Sequence, residues 1–284
     1  MTHDEDTPRG TAPRPDLDAY LARVGWTGER RADAATLRSL HRAHMHGIPF
    51  ENLDPIGGSA PSLALADLEA KLVGGGRGGY CYEHNTLFSA VLEAFGFGVT
   101  RLCARVVLGA RGAIRPRTHM LLLVDVPGEP VPYVADVGFG ASGALLEAVP
   151  LVADTEFRDA PRRHRLVHEP HRGPLELWVL QAYEDEAWTD QYAFTVEPYE
   201  APDFEVINWH VATNPRSPFS HLLYVQRTTP DAHLALSGHH LVETRADGSR
   251  KERELSGEDE IARVLTADFG IAAPAGLPLD RREQ

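Results

Sequence analysis

Cysteine, lysine and long apolar runs are all scarce in this chain, and each shortage narrows what it can be. Two cysteines, Cys81 and Cys103, allow at most one disulfide, and two free thiols in a reducing compartment are the expectation. No stretch approaches the roughly 18 uncharged apolar residues of a membrane-spanning helix. The opening MTHDEDTPRGTAPRPD lacks the apolar core of a signal peptide, which points to a cytoplasmic, soluble protein. Positive charge is short as well: the formal net charge of -13 argues against a nucleic-acid or anionic-membrane partner, because like charges repel. That balance still leaves room for a local basic patch that takes a small anion. Lys71 and Lys251 are the only lysines among 28 basic residues, a habit of genome composition that says nothing of function.

What is present suffices for a substantial core. A chain of 284 residues reads as one large domain or two to three packed subdomains. Residues 1–14 are polar and rich in Pro and Gly, the composition of a disordered arm. From 15 to 98 the spacing is mainly helical. DLDAYLARVGW carries Leu17, Tyr20, Leu21 and Val24 at helical spacing, DAATLRSLHRAHMHG carries Leu37 and Leu40, and each opens on an Asp that can cap. A third helix is predicted from Ser62 through SLALADLEAKLVGG. A fourth follows Cys81, with Leu87, Phe88, Val91, Leu92 and Phe95 on one face and Gly96 as its stop. Between 99 and 200 the pattern turns to β. Runs such as VTRLCARVVLG, THMLLLVDV, VPYVADVGF and LELWVLQAYED alternate with Gly, Pro and Asp turns, which suggests a barrel or sandwich. Residues 201–284 add a strand, a hairpin turning at 245–248, and a closing helix, EDEIARVLTADFGI, with Ser256 as its cap.

The run GGGRGGYCYEHN at 74–85 crowds five glycines and an arginine against Cys81. It fails as a phosphate loop, which needs Gly-Lys-Ser/Thr after its glycines, and as a dinucleotide fingerprint, because the preceding LEAKLV reads as helix. As a thiol site it makes physical sense. Glycines permit close backbone approach and deliver Cys81 to a helix start, where unpaired N–H groups and the positive dipole end favour thiolate. The same groups suit an oxyanion on an acyl carbon attached to sulfur. Taken alone, Cys81 reads equally well as a small buried core residue. Its partners decide.

A nucleophilic cysteine needs a histidine to take its proton and a carboxylate or amide to orient that histidine. Among 14 histidines, His119 makes the most coherent pair with Asp136. Two strands flank the Pro/Gly turn at 127–130, and pairing Val126 with Val131 sets His119 opposite Gly138 and Asp136 opposite Leu121. His119 and Asp136 then sit diagonally on one sheet face. A slip of one residue separates them, so the register tests the reading. The HRAHMHG stretch invites a metal reading, with His41 and His44 at i, i+3. His46 faces elsewhere and no carboxylate or cysteine completes a set, so no metal is expected. His239 and His240 offer no better set.

Together these segments resemble the arylamine N-acetyltransferase family. The resemblance rests on IPFENLD at 48–54, RGGYCYEHN at 77–85, THMLLLV at 118–124, VADVGFG at 134–140 and SPF at 217–219, in the family's order, and spans about residues 15–275. It implies an α+β fold with a papain-like cysteine catalytic core: a helical bundle carrying the nucleophile (15–98), a β-barrel carrying His and Asp (99–200) and an α/β lid (201–284). It implies a catalytic triad of Cys81, His119 and Asp136. The implied reaction is ping-pong transfer of acetyl from acetyl-CoA, through a Cys81 thioester, to the nitrogen of an arylamine, arylhydrazine or arylhydroxylamine, as in xenobiotic metabolism. Phe50, Val107 and Phe139 match positions lining the acceptor pocket, and Gly138, Phe139 and Gly140 leave backbone space for the pantetheine arm.

Other residues keep two readings. Arg77 and Glu51 alone are as readable as two solvated charges; the resemblance makes them a buried pair that positions Cys81. Arg111, Arg115 and Arg117 precede His119 either as a solvated loop or, for Arg115 and Arg117 above all, as contacts to CoA phosphates. Tyr82 stands where the family usually has Phe, and Ala141 where it usually has Gly. An amide synthase of the same family that closes a macrolactam is an alternative the motifs do not separate; a catalytically silent binding protein on this fold is another, against which the complete triad argues.

Overall fold

A computed structural model describes residues 14–159, 161–274 and 276–279; the predicted arm at 1–14 lies outside them except for Arg14. Helix α1 (Leu17–Val24) starts at Asp16, whose carboxylate accepts from Ala19 N at 3.0 Å. Helix α2 (Ala34–Gly47) starts at Asp33, which accepts from Thr36 N at 2.8 Å. These are the two aspartate caps read in the sequence. A two-residue strand β1 (Phe50–Glu51), a short helix α3 (Leu53–Ile56) and helix α4 (Leu65–Leu68) follow, and α4 runs on into a π-helical turn at Glu69–Gly74. The third helix thus opens three residues later than Ser62. The Ser62 hydroxyl instead accepts from Ala64 N and donates to Asp67, a turn that precedes the helix. Helix α5 (Cys81–Phe95) has Cys81 as its first residue.

Strands β2 (Gly98–Val106), β3 (His119–Asp125), β4 (Tyr133–Ala135), β5 (Val149–Pro150), β6 (Glu156–Asp159), β7 (Arg162–Glu169), β8 (Leu177–Glu184) and β9 (Ala187–Phe194) form one barrel-like sheet in the order β5-β4-β3-β2-β9-β8-β7-β6. Side-chain alternation along β3 explains its unbroken apolar run. Met120, Leu122 and Val124 join the core of the helical bundle, whereas Leu121 joins Leu102, Leu180, Tyr192 and Phe194 inside the barrel. Both faces are buried, so neither can be polar.

Helix α6 (Ala201–Thr213) leads to a second sheet of β10 (Tyr224–Thr228), β11 (Ala232–Ser237), β12 (His240–Arg245) and β13 (Arg250–Glu254), closed by helix α7 (Glu258–Ala267). Its order is β1-β10-β11-β12-β13, so a strand from the helical part of the chain completes it: Phe50 faces Gln226 and Glu51 faces Val225. Leu53 and Ile56 enter the same core as Leu223, Ile261 and Leu265. The IPFENLD segment therefore fastens the lid to the bundle. Ser256 does not cap α7; Gly257 holds that position, and the Ser256 N–H and hydroxyl both donate to Glu260, three places into the helix. Among the described residues, no helix is long and apolar enough to cross a membrane.

Candidate active site

The site is assembled on three elements: the start of α5, the start of β3, and the loop after β4. The glycine run sets the first. Gly76 turns the chain at φ 62°, and a side chain on Gly78 would lie 2.0 Å from the Pro49 carbonyl oxygen. Glu51 N donates to Gly79 O at 2.8 Å, tying the loop to β1. Behind it lies an ionic cluster in which Glu51 and Glu83 are buried and Arg77, Lys71 and Asp54 half-buried. Arg77 meets Glu51 at 2.7 Å and Asp54 at 3.0 Å, and Lys71, one of the chain's two lysines, meets Asp54 and Glu83 at 2.6 Å each. Glu83 Oε2 also accepts from Tyr80 N at 3.1 Å, so the cluster grips the first turn of α5. Burial, with the charge of Glu51 adding to it, pushes the Glu83 carboxyl up to about 7, against the pull of Lys71. Removing one partner from such a set costs about 3–5 kcal/mol. Of this cluster, Arg77 and Glu51 are the pair expected from the sequence, whereas Lys71, Asp54 and Glu83 carry no local pattern that marks them.

Strands β3 and β4 pair with Leu122 opposite Ala135 and Val124 opposite Tyr133. That is the register implied by setting Val126 against Val131. The ladder ends at Ala135, short of the Phe139 expected from VPYVADVGF. The cause is Asn85, which lies one turn beyond Cys81 on α5. In the same register Val137 would donate to Met120 O; the Asn85 amide inserts between them, accepting from Val137 N at 3.2 Å and donating to Met120 O at 2.7 Å. Its Nδ2 also donates to Asp136 Oδ1 at 3.0 Å. The inserted amide spreads the strands and aims the Asp136 carboxylate at His119. The i, i+4 spacing from Cys81 was the available signal for Asn85.

His119 Nε2 donates to Asp136 Oδ2 at 2.6 Å. That leaves Nδ1 for another partner; Cys81 is near enough to add to the causes that raise the pKa of the ring, and its sulfur lies 4.0 Å from Thr118 O. All three residues are buried, Cys81 with 8% exposure, His119 with 3% and Asp136 with none. Burial opposes charge on His119, but the Asp136 charge and hydrogen bond, with help from Cys81, outweigh it and lift the imidazole to about 10. Burial likewise opposes charge on Asp136, and His119, Asn85 and the Gly138 N–H overcome it to hold the carboxyl below its usual range. Cys103 is the contrasting thiol. Burial, then the nearby charge of Cys81, pushes it up to about 12, so it stays protonated.

Gly138 has a packing role: a Cβ there would sit 2.6 Å from Cys81 Cα. Phe139 packs its ring 5.1 Å from both the His119 and the Tyr192 rings, and Phe50 stacks parallel to His84 and lies against Gly140. Val107 is drawn elsewhere, into a small cluster with Val167, Val179 and Ala193 on the barrel. Arg115 donates to the carbonyls of Leu108 and Gly109 in its own loop, and Arg117 reaches Glu197 at 3.2 Å and the Tyr199 hydroxyl. Arg111 stands exposed in the same loop at φ 48°. The histidines of HRAHMHG divide between networks. His41 accepts from Asp136 N at 3.0 Å and donates to Leu146 O, whereas His44 joins the Tyr20 hydroxyl to His84 with 2.8 Å contacts on both ring nitrogens. His239 donates to Leu255 O and His240 pairs with Glu252 and Glu254, all within the lid.

Comparison with known proteins places this arrangement. Residues 33–276 match the profile of an N-acetyltransferase family. An arylamine N-acetyltransferase of Mycolicibacterium smegmatis is 40% identical over 263 residues, covering 90% of this chain and 92% of that one. The crystal structure of the Nocardia farcinica arylamine N-acetyltransferase superposes with a TM-score of 0.87 at 42% identity, covering 96% of each chain. The Mycobacterium marinum arylamine N-acetyltransferase in complex with CoA gives 0.84 at 35% identity, covering 90% of this chain and 93% of that one. With a family profile over most of its length and such likeness along nearly the whole chain, the protein belongs to the arylamine N-acetyltransferase family.

Proposed function

We propose that the protein transfers acetyl from acetyl-CoA to the nitrogen of an arylamine, arylhydrazine or arylhydroxylamine, in two half-reactions through a thioester on Cys81. The observation that carries this reading is the imidazole of His119, bonded to Asp136 and near Cys81 at the start of a helix. A histidine with its pKa lifted to about 10 is an imidazolium at neutral pH and stabilises the neighbouring sulfur as thiolate. The donor reading draws support from the Mycobacterium marinum relative, solved with CoA.

The Cys81 thiolate attacks the thioester carbonyl, forming the S–C bond, and the oxyanion that develops lies near the first-turn N–H groups of α5. Collapse breaks the carbon–sulfur bond to CoA, and the His119 proton passes to the leaving thiolate. His119 is then neutral. The amine nitrogen attacks the acyl-enzyme, His119 takes the proton shed by the nitrogen, and the Cys81 thiolate leaves beside a restored imidazolium. Asp136 stays ionised throughout and fixes the ring by its 2.6 Å contact. Thiolate-to-thiolate exchange keeps the acyl group activated, so a weakly basic aromatic amine needs no strong acid to accept it.

Acetyl-CoA supplied without an acceptor should release one equivalent of CoA per chain and leave an acetyl group on the peptide carrying Cys81. Adding an arylamine or arylhydrazine should then give steady CoA release matched by acetylated product. No CoA release with any aromatic acceptor would sink the reading, and undiminished transfer by a Cys81→Ala variant would sink the mechanism.

A further inference from the structure

A cleft of about 450 Å³ lies along the seam between barrel and lid, and none of Cys81, His119 and Asp136 lines it. The strands β7 and β8 form one wall and the turns β10–β11 and β12–β13 another. Arginines dominate its polar lining. Four of them have carboxylates within ion-pair distance: Arg42 with Glu147 at 2.8 Å, Arg163 with Glu156 at 2.7 Å, Arg245 with Glu243 at 2.8 Å and Arg250 with Glu252 at 2.7 Å. The last two pairs are the more exposed, and such pairs exchange partners at little cost.

Arg162 differs from all four. It is sunk between the two walls and donates to Ala144 O at 2.6 Å, with Thr228 Oγ1 at 3.4 Å and His233 Nδ1 at 3.3 Å as its other neighbours. All three acceptors are neutral, and among the described residues no carboxylate forms an ion pair with it. Burial pushes its guanidinium down to about 10, with Asp159 and Glu184 only partly offsetting the loss of water. A guanidinium carries five N–H donors, so three neutral acceptors leave capacity for more. A largely enclosed cation with carboxylates near but none in ion-pair contact is costly, and an anion entering the cleft would relieve that cost.

The side chain is also held in place. With Nδ1 turned to Arg162 as acceptor, His233 donates from Nε2 to Gln226 Oε1 at 3.0 Å, and Gln226 donates to Gly140 O. His233 is kept neutral, its pKa pushed down to about 3 by burial and the Arg162 charge. The donors of Arg162 are thereby oriented before any ligand arrives.

We propose that this cleft binds a phosphate-bearing anion, with Arg162 as its floor and the exposed arginines of the β12–β13 turn closing over it. A tetrahedral oxyanion offers acceptors to donors from both walls at once, which a planar carboxylate does not. The volume fits the phosphate end of a nucleotide-sized molecule. Three carboxylates, Glu184, Asp185 and Asp231, also line the cleft and lower its net positive charge; because the arginine–anion attraction is partly exposed, binding is expected to weaken with salt. Two sources share this chemistry: the phosphates of CoA, and a separate phosphate ester.

The test is the thermal midpoint of the full chain titrated with inorganic pyrophosphate at low ionic strength, with chloride at matched ionic strength as control. The midpoint should rise saturably with pyrophosphate and not with chloride. Binding should be at least about tenfold weaker in Arg162→Gln and about threefold weaker in Arg250→Ala, whose site is exposed and whose folding is not in question. Without anion, Arg162→Gln should melt no lower than the parent, because it removes an uncompensated charge. No rise, or an equal rise in the parent and both variants, would overturn the proposal. Displacement of pyrophosphate by CoA but not by phosphate-free pantetheine identifies the donor's phosphates as occupant; CoA binding without displacement identifies a separate ester. No acetyl donor is present, so the outcome is independent of the transfer reaction.

Discussion

Two histidines bind opposite ends of Asp136, one as a cation and the other neutral. His119 meets the carboxylate and is lifted to about 10, whereas His41 accepts from the backbone N–H of the same residue and is pushed below its ordinary value by burial. Both are buried, and both contact the same residue. Burial alone therefore decides nothing; the atom that faces the ring does. His44 and His84 extend the neutral side. His84 donates to Pro49 O at 3.2 Å, so its Nδ1 accepts from His44 Nε2, and His44 Nδ1 accepts from the Tyr20 hydroxyl. One consistent set of neutral tautomers runs through the bundle.

The strongest way to break this contrast is to make Asp136 neutral at both ends. Asp136→Asn keeps the hydrogen-bonding shape but removes the charge that outweighs His119's burial. His119 should then resemble His41, losing its proton at neutral pH, and the Cys81 thiolate loses its counter-ion. Acetyl transfer should fall on the order of 10³–10⁴-fold. Alkylation of Cys81 by iodoacetamide near pH 7 should slow in parallel. A variant that alkylates at the parental rate would mean that Asp136 does not set the charge of His119. The parent itself should lose thiolate–imidazolium pairing only as pH rises towards about 10.

How far the sequence reaches follows from the same residues. Asp16 and Asp33 act within three residues of themselves, so their caps were legible locally, and so was the β3–β4 register, set by a short Pro/Gly turn and apolar alternation. Cys81 at the first position of α5 was legible from the glycines before it and the helical spacing after it. The end of β4 was not, because it depends on the Asn85 amide arriving from a different element to replace a ladder bond. Nor was the partnership of β1 with β10, which joins residues about 175 positions apart through a two-residue strand with no periodicity to read. Ser256 missed its cap role for a related reason: the Glu260 carboxylate takes both of its donors.

A smaller effect should come from the neutral side. His44→Leu leaves the Tyr20 hydroxyl and His84 Nδ1 without their partner, at a cost of about 1–3 kcal/mol of stability at pH 7. Acetyl transfer per folded molecule should stay within about twofold. The pH dependence separates the two classes of histidine. His41, His44 and His84 have folded pKa values below the ordinary 6.5, that of His84 down to about 4, so they gain protons mainly on unfolding. Their share of stability is present above 6.5 and lost as pH falls towards about 4. His119 has the opposite sign, with its share complete below 6.5 and lost as pH rises towards about 10. Denaturant midpoints at pH 5 and pH 7 should therefore differ less in His44→Leu than in the parent. An unchanged difference would mean that His44 is not held neutral.

The smallest change should come from Tyr82→Phe, which restores the side chain usual beside this cysteine. The Tyr82 hydroxyl donates to Thr118 O, one residue before His119, at 2.5 Å. Thr118 N already donates to Ala104 O at 3.0 Å, so the sheet holds this residue whether or not the hydroxyl is present. The same carbonyl lies 4.0 Å from the Cys81 sulfur, and none of these contacts reaches the Asp136 carboxylate. Losing one neutral hydrogen bond to a carbonyl that retains other packing should lower stability by about 1 kcal/mol or less and change acetyl transfer by no more than about threefold. The rate of Cys81 alkylation near pH 7 should also hold. If Tyr82→Phe instead slows it as far as Asp136→Asn does, the sulfur's charge depends on the phenol as well as on the imidazolium. The division between a charged and a neutral histidine at Asp136 would then account for only part of the thiolate's stability.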